Sequence, residues 1–251
     1  MSARIIAPGR CGVVSRRGTL LIGWTLALLA AAGFASLGRW QAGRAVEKEG
    51  MLATADAVLA QRRPVPLAAA DDASRASRYD WAAGTGHFLA TRPILLDNQQ
   101  HDGRVGMRAY AAFQPDGAAP LLVDLGWQAV GGDRAPPKVD VPTGARELRG
   151  LLSAPPSPGI RMGEALAAQG DIVLAVRLEP AEAANALGLP HLAPRVLRLD
   201  PALPIGYTRD LQLFANTPTP DRHRGYAVQW YGLAVTTLVI ALVLTFRRSR
   251  R

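Results

Sequence analysis

The sequence predicts an α+β membrane protein in which two transmembrane helices flank a mainly antiparallel-β exported domain with short helices. Three observations carry that prediction. Two long stretches hold no charged residue, one between Arg17 and Arg39 and the other between Arg224 and Arg247. Arginines cluster just outside them, at the two ends of the chain. Between the stretches, short apolar runs with a period of two alternate with turn residues.

Each uncharged stretch is about 20 residues long, which at about 1.5 Å rise per residue covers the roughly 30 Å of bilayer hydrocarbon. Residues 18–38 and 225–246 are therefore predicted to cross the membrane. The alternative for the first is a cleaved signal peptide, since "AAAGFAS" offers small residues. Its apolar run exceeds the roughly 7 to 15 residues of a signal peptide, which favours an uncleaved anchor. The second run is too long and too free of charge for a buried soluble helix, and it ends in "RRSRR".

The formal charge of +9 is a topology signal. Arg4, Arg10, Arg16 and Arg17 precede the first stretch, and Arg247, Arg248, Arg250 and Arg251 follow the second. These eight leave 21 basic residues in the middle of the chain against all 20 acidic ones, so no polyanion-binding surface is implied and nucleic acid is not an expected partner. By the positive-inside rule the tails 1–17 and 247–251 are cytoplasmic and 39–222 is exported, with membrane lipid around the two spans. The only cysteine, Cys11, falls on the first tail, so the exported domain is expected to hold no disulfide, thiolate metal site or cysteine nucleophile.

After the first span, Leu52, Ala55 and Leu59 recur at helical spacing beside a charged face carrying Arg44, Glu47 and Lys48. This reads as an outward continuation of the helix, weakened at Gly43 and Gly50 and ended by Pro64 and Pro66. Strands are expected at "GTGHFLA", "PILLDN", "MRAYAAF", "PLLVDLGW", "RELRGLL", "DIVLAVRL" and "RVLRLD", arranged as an antiparallel sheet or small barrel. In "LLVDLGW", Leu121, Val123, Leu125 and Trp127 are expected on one face, with Asp124 and Gly126 on the other, as in a half-buried strand. "QPDGAAP" reads as a turn. Short helices are expected near "GEALAAQ" (163–169) and "PAEAANALG" (180–188), the latter with Pro180 in its first turn and Gly188 at its end. Pro-rich stretches at 135–142 and 155–158 read as surface loops.

The chemistry of an enzyme is not legible. There is no GxSxG elbow, HExxH, phosphate-binding glycine loop or CxxCH haem attachment. His87, His101, His191 and His223 are scattered without ligand spacing, the methionines are dispersed, and Asp71 with Asp72 reads as solvated surface. The chain is expected not to be an enzyme.

Four segments carry a resemblance over residues 20 to 246: "LGRWQAGRAVEK" at the exit of the first span, "GHF" near 86, "LLDNQQHDGRVGMRAY", and "HRGYAVQWYGLA" entering the second span. In this order they resemble the Surfeit locus protein 1 family, membrane assembly factors for cytochrome c oxidase. One departure is that family members commonly read Asn-Arg-Gly-Trp where this chain has "DLGW", with Leu125 in place of the arginine. The resemblance implies a multi-pass protein of the bacterial inner membrane that binds haem a transiently. It would help insert haem a into, or stabilise, the haem-bearing subunit of the oxidase, with the haem a synthesis machinery as a second partner. The alternative is a membrane-anchored scaffold without a cofactor.

Given that resemblance, His223 is the expected axial ligand of the iron, as neutral imidazole is in many haem proteins. Helical spacing puts Tyr226, Ala227 and Trp230 on its face as an aromatic wall, and Arg222 and Arg224 are candidates to pair with haem propionates. Trp40 and Gln41 stand at the mouth of the first span, where Trp40 is either an interfacial anchor or, with Gln41 and Arg44, one side of the site. Gln229 lies on a different side and is expected to bond a neighbouring helix.

Overall fold

A computed structural model describes residues 16–132, 134–156, 165–213 and 218–247. Most of both basic tails, Cys11 and the end of the second Pro-rich stretch lie outside the described residues. The chain forms two compact units: residues up to Glu49 together with Pro218 onward, and Gly50–Thr217.

The first unit is a helix pair. Helix α1 (Arg16–Gln61) runs unbroken through Gly43 and Gly50, and its continuation past Glu49 belongs to the second unit. It ends ahead of Pro64, whose ring keeps the preceding residue out of helical geometry. Its partner in the pair, α3 (Pro220–Arg247), is the last of the described elements, and both are long and apolar enough to cross a membrane. The less exposed side of α1 follows Trp24, Ala27, Ala31, Phe34, Gly38, Gln41, Ala45 and Lys48, in alternating steps of three and four. On α3 the same rhythm picks out Pro220, His223, Ala227, Trp230, Ala234 and Thr237. That period is the seam of a left-handed helix pair, and its small residues let two backbones approach closely. The pairing is antiparallel: the Trp24 indole donates to Thr245 Oγ1 at 3.1 Å at one end, and Phe34 stacks on Trp230 at 5.8 Å further along.

The second unit is built on one mixed sheet. Its strands are β1 (Val65–Pro66), β2 (Asp80–Phe88), β3 (Ile94–His101), β4 (Arg104–Pro115), β5 (Leu121–Ala129), β6 (Ala145–Ser153), β7 (Leu166–Gln169), β8 (Ile172–Ala175) and β9 (Val196–Leu199). Their order is β1-β2-β6-β9-β5-β4-β3-β8-β7, and β2 also pairs with β4 through Gly86–Phe88 and Phe113–Pro115. That pairing closes β2, β6, β9, β5 and β4 into a small barrel, while β3, β8 and β7 continue as a flap. Six of the nine pairings are antiparallel; β1–β2, β3–β8 and β5–β9 are parallel. Leu121, Val123, Phe113, Leu148 and Leu197 fill the inner side, and the outer side of β3 and β4 is covered by α2 (Pro180–Leu187). Pro180 opens that helix and Gly188 ends it in the left-handed conformation, φ 68°, which glycine adopts without steric cost.

Three expectations are corrected here. Residues 163–169 are not helical where described: Leu166–Gln169 is a strand, turned back on β8 through Gly170, so hairpin pairing overrides the helix propensity of its alanines. Strand β5 is not half-buried; Leu121 to Trp127 are all buried, because the inner core lies on one side and residues around β3, β4 and α2 on the other. Its alternation also breaks. Ala109 faces Gly126 while Tyr110 faces Asp124, so Leu125 is the extra residue of a β-bulge and Trp127 moves to the side of Asp124. Gly126 takes φ 117° there, and a Cβ on it would stand 2.8 Å from two carbonyl oxygens of the segment 207–208.

Candidate functional site at the mouth of the helix pair

Gln41 and His223 meet across the seam. Gln41 comes from α1 three residues beyond the uncharged stretch, and His223 from the first turn of α3, two residues before the second one. His223 is 9% exposed, and its Nδ1 stands 2.7 Å from Gln41 Oε1. With the amide oxygen as acceptor, Nδ1 carries the proton and donates it. Burial, then the positive charges of Lys48 and Arg44, hold the imidazole below its ordinary pKa, so the neutral form is favoured.

Lys48 overturns the expectation of a charged outer face at its position. It is 6% exposed, and its ammonium donates to the Pro218 carbonyl at 2.5 Å, just ahead of α3. Burial, followed by the nearby Arg44 guanidinium, lowers its pKa against the opposing pull of Glu47. The sequence signal was available in the register: Phe34, Gln41 and Lys48 are each seven apart, and Lys48 continues the seam rather than the outer face.

The remaining expected site residues separate by side. Ala227 and Trp230 share the seam with His223, Ala227 buried and Trp230 stacked on Phe34 at an interplanar angle of 26°. Tyr226 is turned off it and is 45% exposed, and Trp40 is 57% exposed. Arg222 is exposed and makes no ion pair among the described residues. Arg224 is already engaged, bridging to Glu49 and, at 3.3 Å, to Asp221. Arg44 pairs with Glu47 at 2.6 Å. Gln229 is exposed on the outer side of α3. A groove of about 460 Å³ between the helices lies at their opposite end, lined by Thr19, Trp24, Thr245 and Arg247 among others.

The other three histidines belong to the second unit. His87 is exposed, and His191 sits at the surface 2.6 Å from Asp71. His101 lies 3.3 Å from Asp210 and packs on the Trp127 ring at 5.3 Å, beside a buried chain in which Arg108 donates to Asp124 at 2.7 Å and Arg198 holds the carbonyls of Asp210 and Gln212. Among the described residues no group of three or more His, Cys, Asp or Glu is placed to hold a metal ion.

Chemically, the donor set at the mouth fits a single axial contact to haem iron. It offers a nearly buried imidazole whose second nitrogen has a free lone pair when Nδ1 carries the proton, an exposed guanidinium at Arg222 for a carboxylate, and exposed aromatic surface at Trp40 and Tyr226. No curated protein matches the chain. A family model, that of the SURF1 family, matches residues 28–235, from within α1 through the whole sheet and into α3. The chain belongs to the SURF1 family, which is associated with cytochrome oxidase assembly.

Proposed function

We propose that this chain is a membrane-anchored cytochrome c oxidase assembly factor of the bacterial inner membrane. It receives haem a at the outer mouth of its helix pair and aids its insertion into the haem-bearing subunit. Family membership supports the oxidase as the assembly served. The observation that carries the cofactor reading is the Gln41–His223 pair, which holds a nearly buried imidazole at the mouth with one nitrogen engaged. His223 would bind the iron, Arg222 would meet a propionate, and Tyr226 and Trp40 would cover the ring edge; Arg224 would join only by leaving Glu49 and Asp221. Haem a supplies the colour and redox chemistry, and the protein supplies orientation and a water-poor site. The chain acts on no substrate in this reading.

The test is the pigment. Protein purified from cells that make haem a carries a Soret band, and His223→Ala abolishes or shifts it while the protein still inserts in the membrane. A colourless wild-type protein that still supports oxidase assembly would establish the scaffold reading instead.

A further inference from the structure

We propose that Gln41 is a positioning residue that acts through His223: it fixes the proton on Nδ1 and so keeps Nε2 available to iron. The inference rests on the reading of His223 as a haem ligand, but its first test does not. A neutral imidazole has one N–H, and the nitrogen that carries it is set by the partner of the ring. Here the partner is on another helix, 182 residues away in sequence, at 2.7 Å. The ring is nearly buried, so water does not compete freely for Nδ1. An amide oxygen accepting from Nδ1–H holds the ring plane and raises the basicity of Nε2, as outer partners do for metal-bound histidines. The opposite pairing, in which the Gln41 amide N–H donates to Nδ1, puts the proton on Nε2 and closes that nitrogen to a metal. The function of the pair therefore turns on which atom of Gln41 faces the ring. Lys48, two turns further along α1, and Pro218, just ahead of α3, fasten the same end of α3 to α1 and keep the two side chains in register.

The experiment uses the full chain in lipid nanodiscs, made without haem and labelled with ¹⁵N-histidine, with His223 assigned by its loss in His223→Ala. Wild type is expected to show His223 as the Nδ1–H tautomer. Gln41→Leu is expected to lose that preference, and Gln41→Glu, which still presents an oxygen, to keep it. A wild-type Nε2–H signal, or a tautomer unchanged in Gln41→Leu, overturns the proposal whatever haem does. Titration with haem a extracted from an oxidase gives the second readout. Gln41→Leu is expected to bind roughly 10- to 100-fold more weakly, and Gln41→Glu to bind with a more negative reduction potential. Equal affinity in Gln41→Leu, with binding abolished in His223→Ala, overturns the proposal and leaves the ligand reading standing. Equal affinity in all variants, with the tautomer locked as expected, removes the ligand reading and leaves the tautomer lock.

Discussion

At Asp200 a carboxylate is withdrawn from water between two arginines from distant parts of the chain. Arg149 on β6 donates to it at 2.8 Å, the Ala202 backbone N–H at 3.1 Å, and Arg62, just past the end of α1, approaches to 3.7 Å. Burial raises its pKa, but the Arg149 bond, the backbone donor and the Arg62 charge together outweigh burial and hold it below the usual carboxylate range. A carboxylate lowered on folding contributes stability that is present above its unfolded pKa, about 3.9, and lost as pH falls through the folded value. The unfolding temperature of the full chain should therefore fall on acidification below about pH 4. Asp200→Asn should be less stable at pH 7 and should lose less on acidification; a parallel pH profile in the two proteins would falsify this. Such partners are hard to read from sequence because they are nonlocal. Asp124 reads as the polar side of a strand until Arg108, sixteen residues away, and Arg198 bury it. Lys48 reads as solvated until its ammonium donates to the Pro218 carbonyl. His223 was a candidate through the family resemblance, whereas its engagement by Gln41 needed the helices to be paired.

Among the elements, those with a local signature were legible. All seven expected strands form, and α2 begins and ends at the proline and glycine that mark it. What failed was local pattern where pairing decides: β7 was hidden by helix-forming alanines, and the bulge at Leu125 changed the side on which Trp127 lies. The bulge also bears on the departure from the family pattern, since Leu125 is wholly buried in the inner core, where its methyl groups replace a guanidinium that would need a partner. The helix pair has its own dependence on one position. A Cβ at Gly38 would stand 2.9 to 3.0 Å from the Tyr231 ring, so the close approach of α1 and α3 requires the absence of a side chain there. Gly38→Val should push the pair apart at the level just inside Gln41 and His223. Cysteines placed at 34 and 230, with Cys11 changed to Ser, should be joined by a short bismaleimide several-fold less in that background. Undiminished cross-linking would mean that the ring moves aside and the seam tolerates the valine.

For the molecule as a whole, the two apolar helices were legible from hydropathy, because an uncharged run of this length is a one-dimensional signal. A small barrel was one of the two arrangements expected, but the pairings that close it were not legible, since β2 meeting β4 and β5 lying parallel to β9 are encoded by no single run. The arrangement across a bilayer combines both kinds of information. Within the first unit α1 and α3 run antiparallel, from Trp24 beside Thr245 to Gln41 beside His223, so the outer ends of both helices and the segment between them belong on one side. Antiparallel pairing cannot say which side that is. The arginines can: Arg4, Arg10, Arg16 and Arg17 precede the first helix core, and Arg247, Arg248, Arg250 and Arg251 close the second, whereas the residues between are nearly balanced in charge. Arginine-rich short tails are retained in the cytoplasm by the positive-inside rule. Both termini are therefore expected inside, with the barrel outside. Alkaline phosphatase inserted at Gly144, an exposed loop position before β6, should be active, and the same enzyme fused after Arg251 should be inactive. The reverse pattern would put the His223 mouth on the cytoplasmic face and remove the basis for delivery of haem from outside.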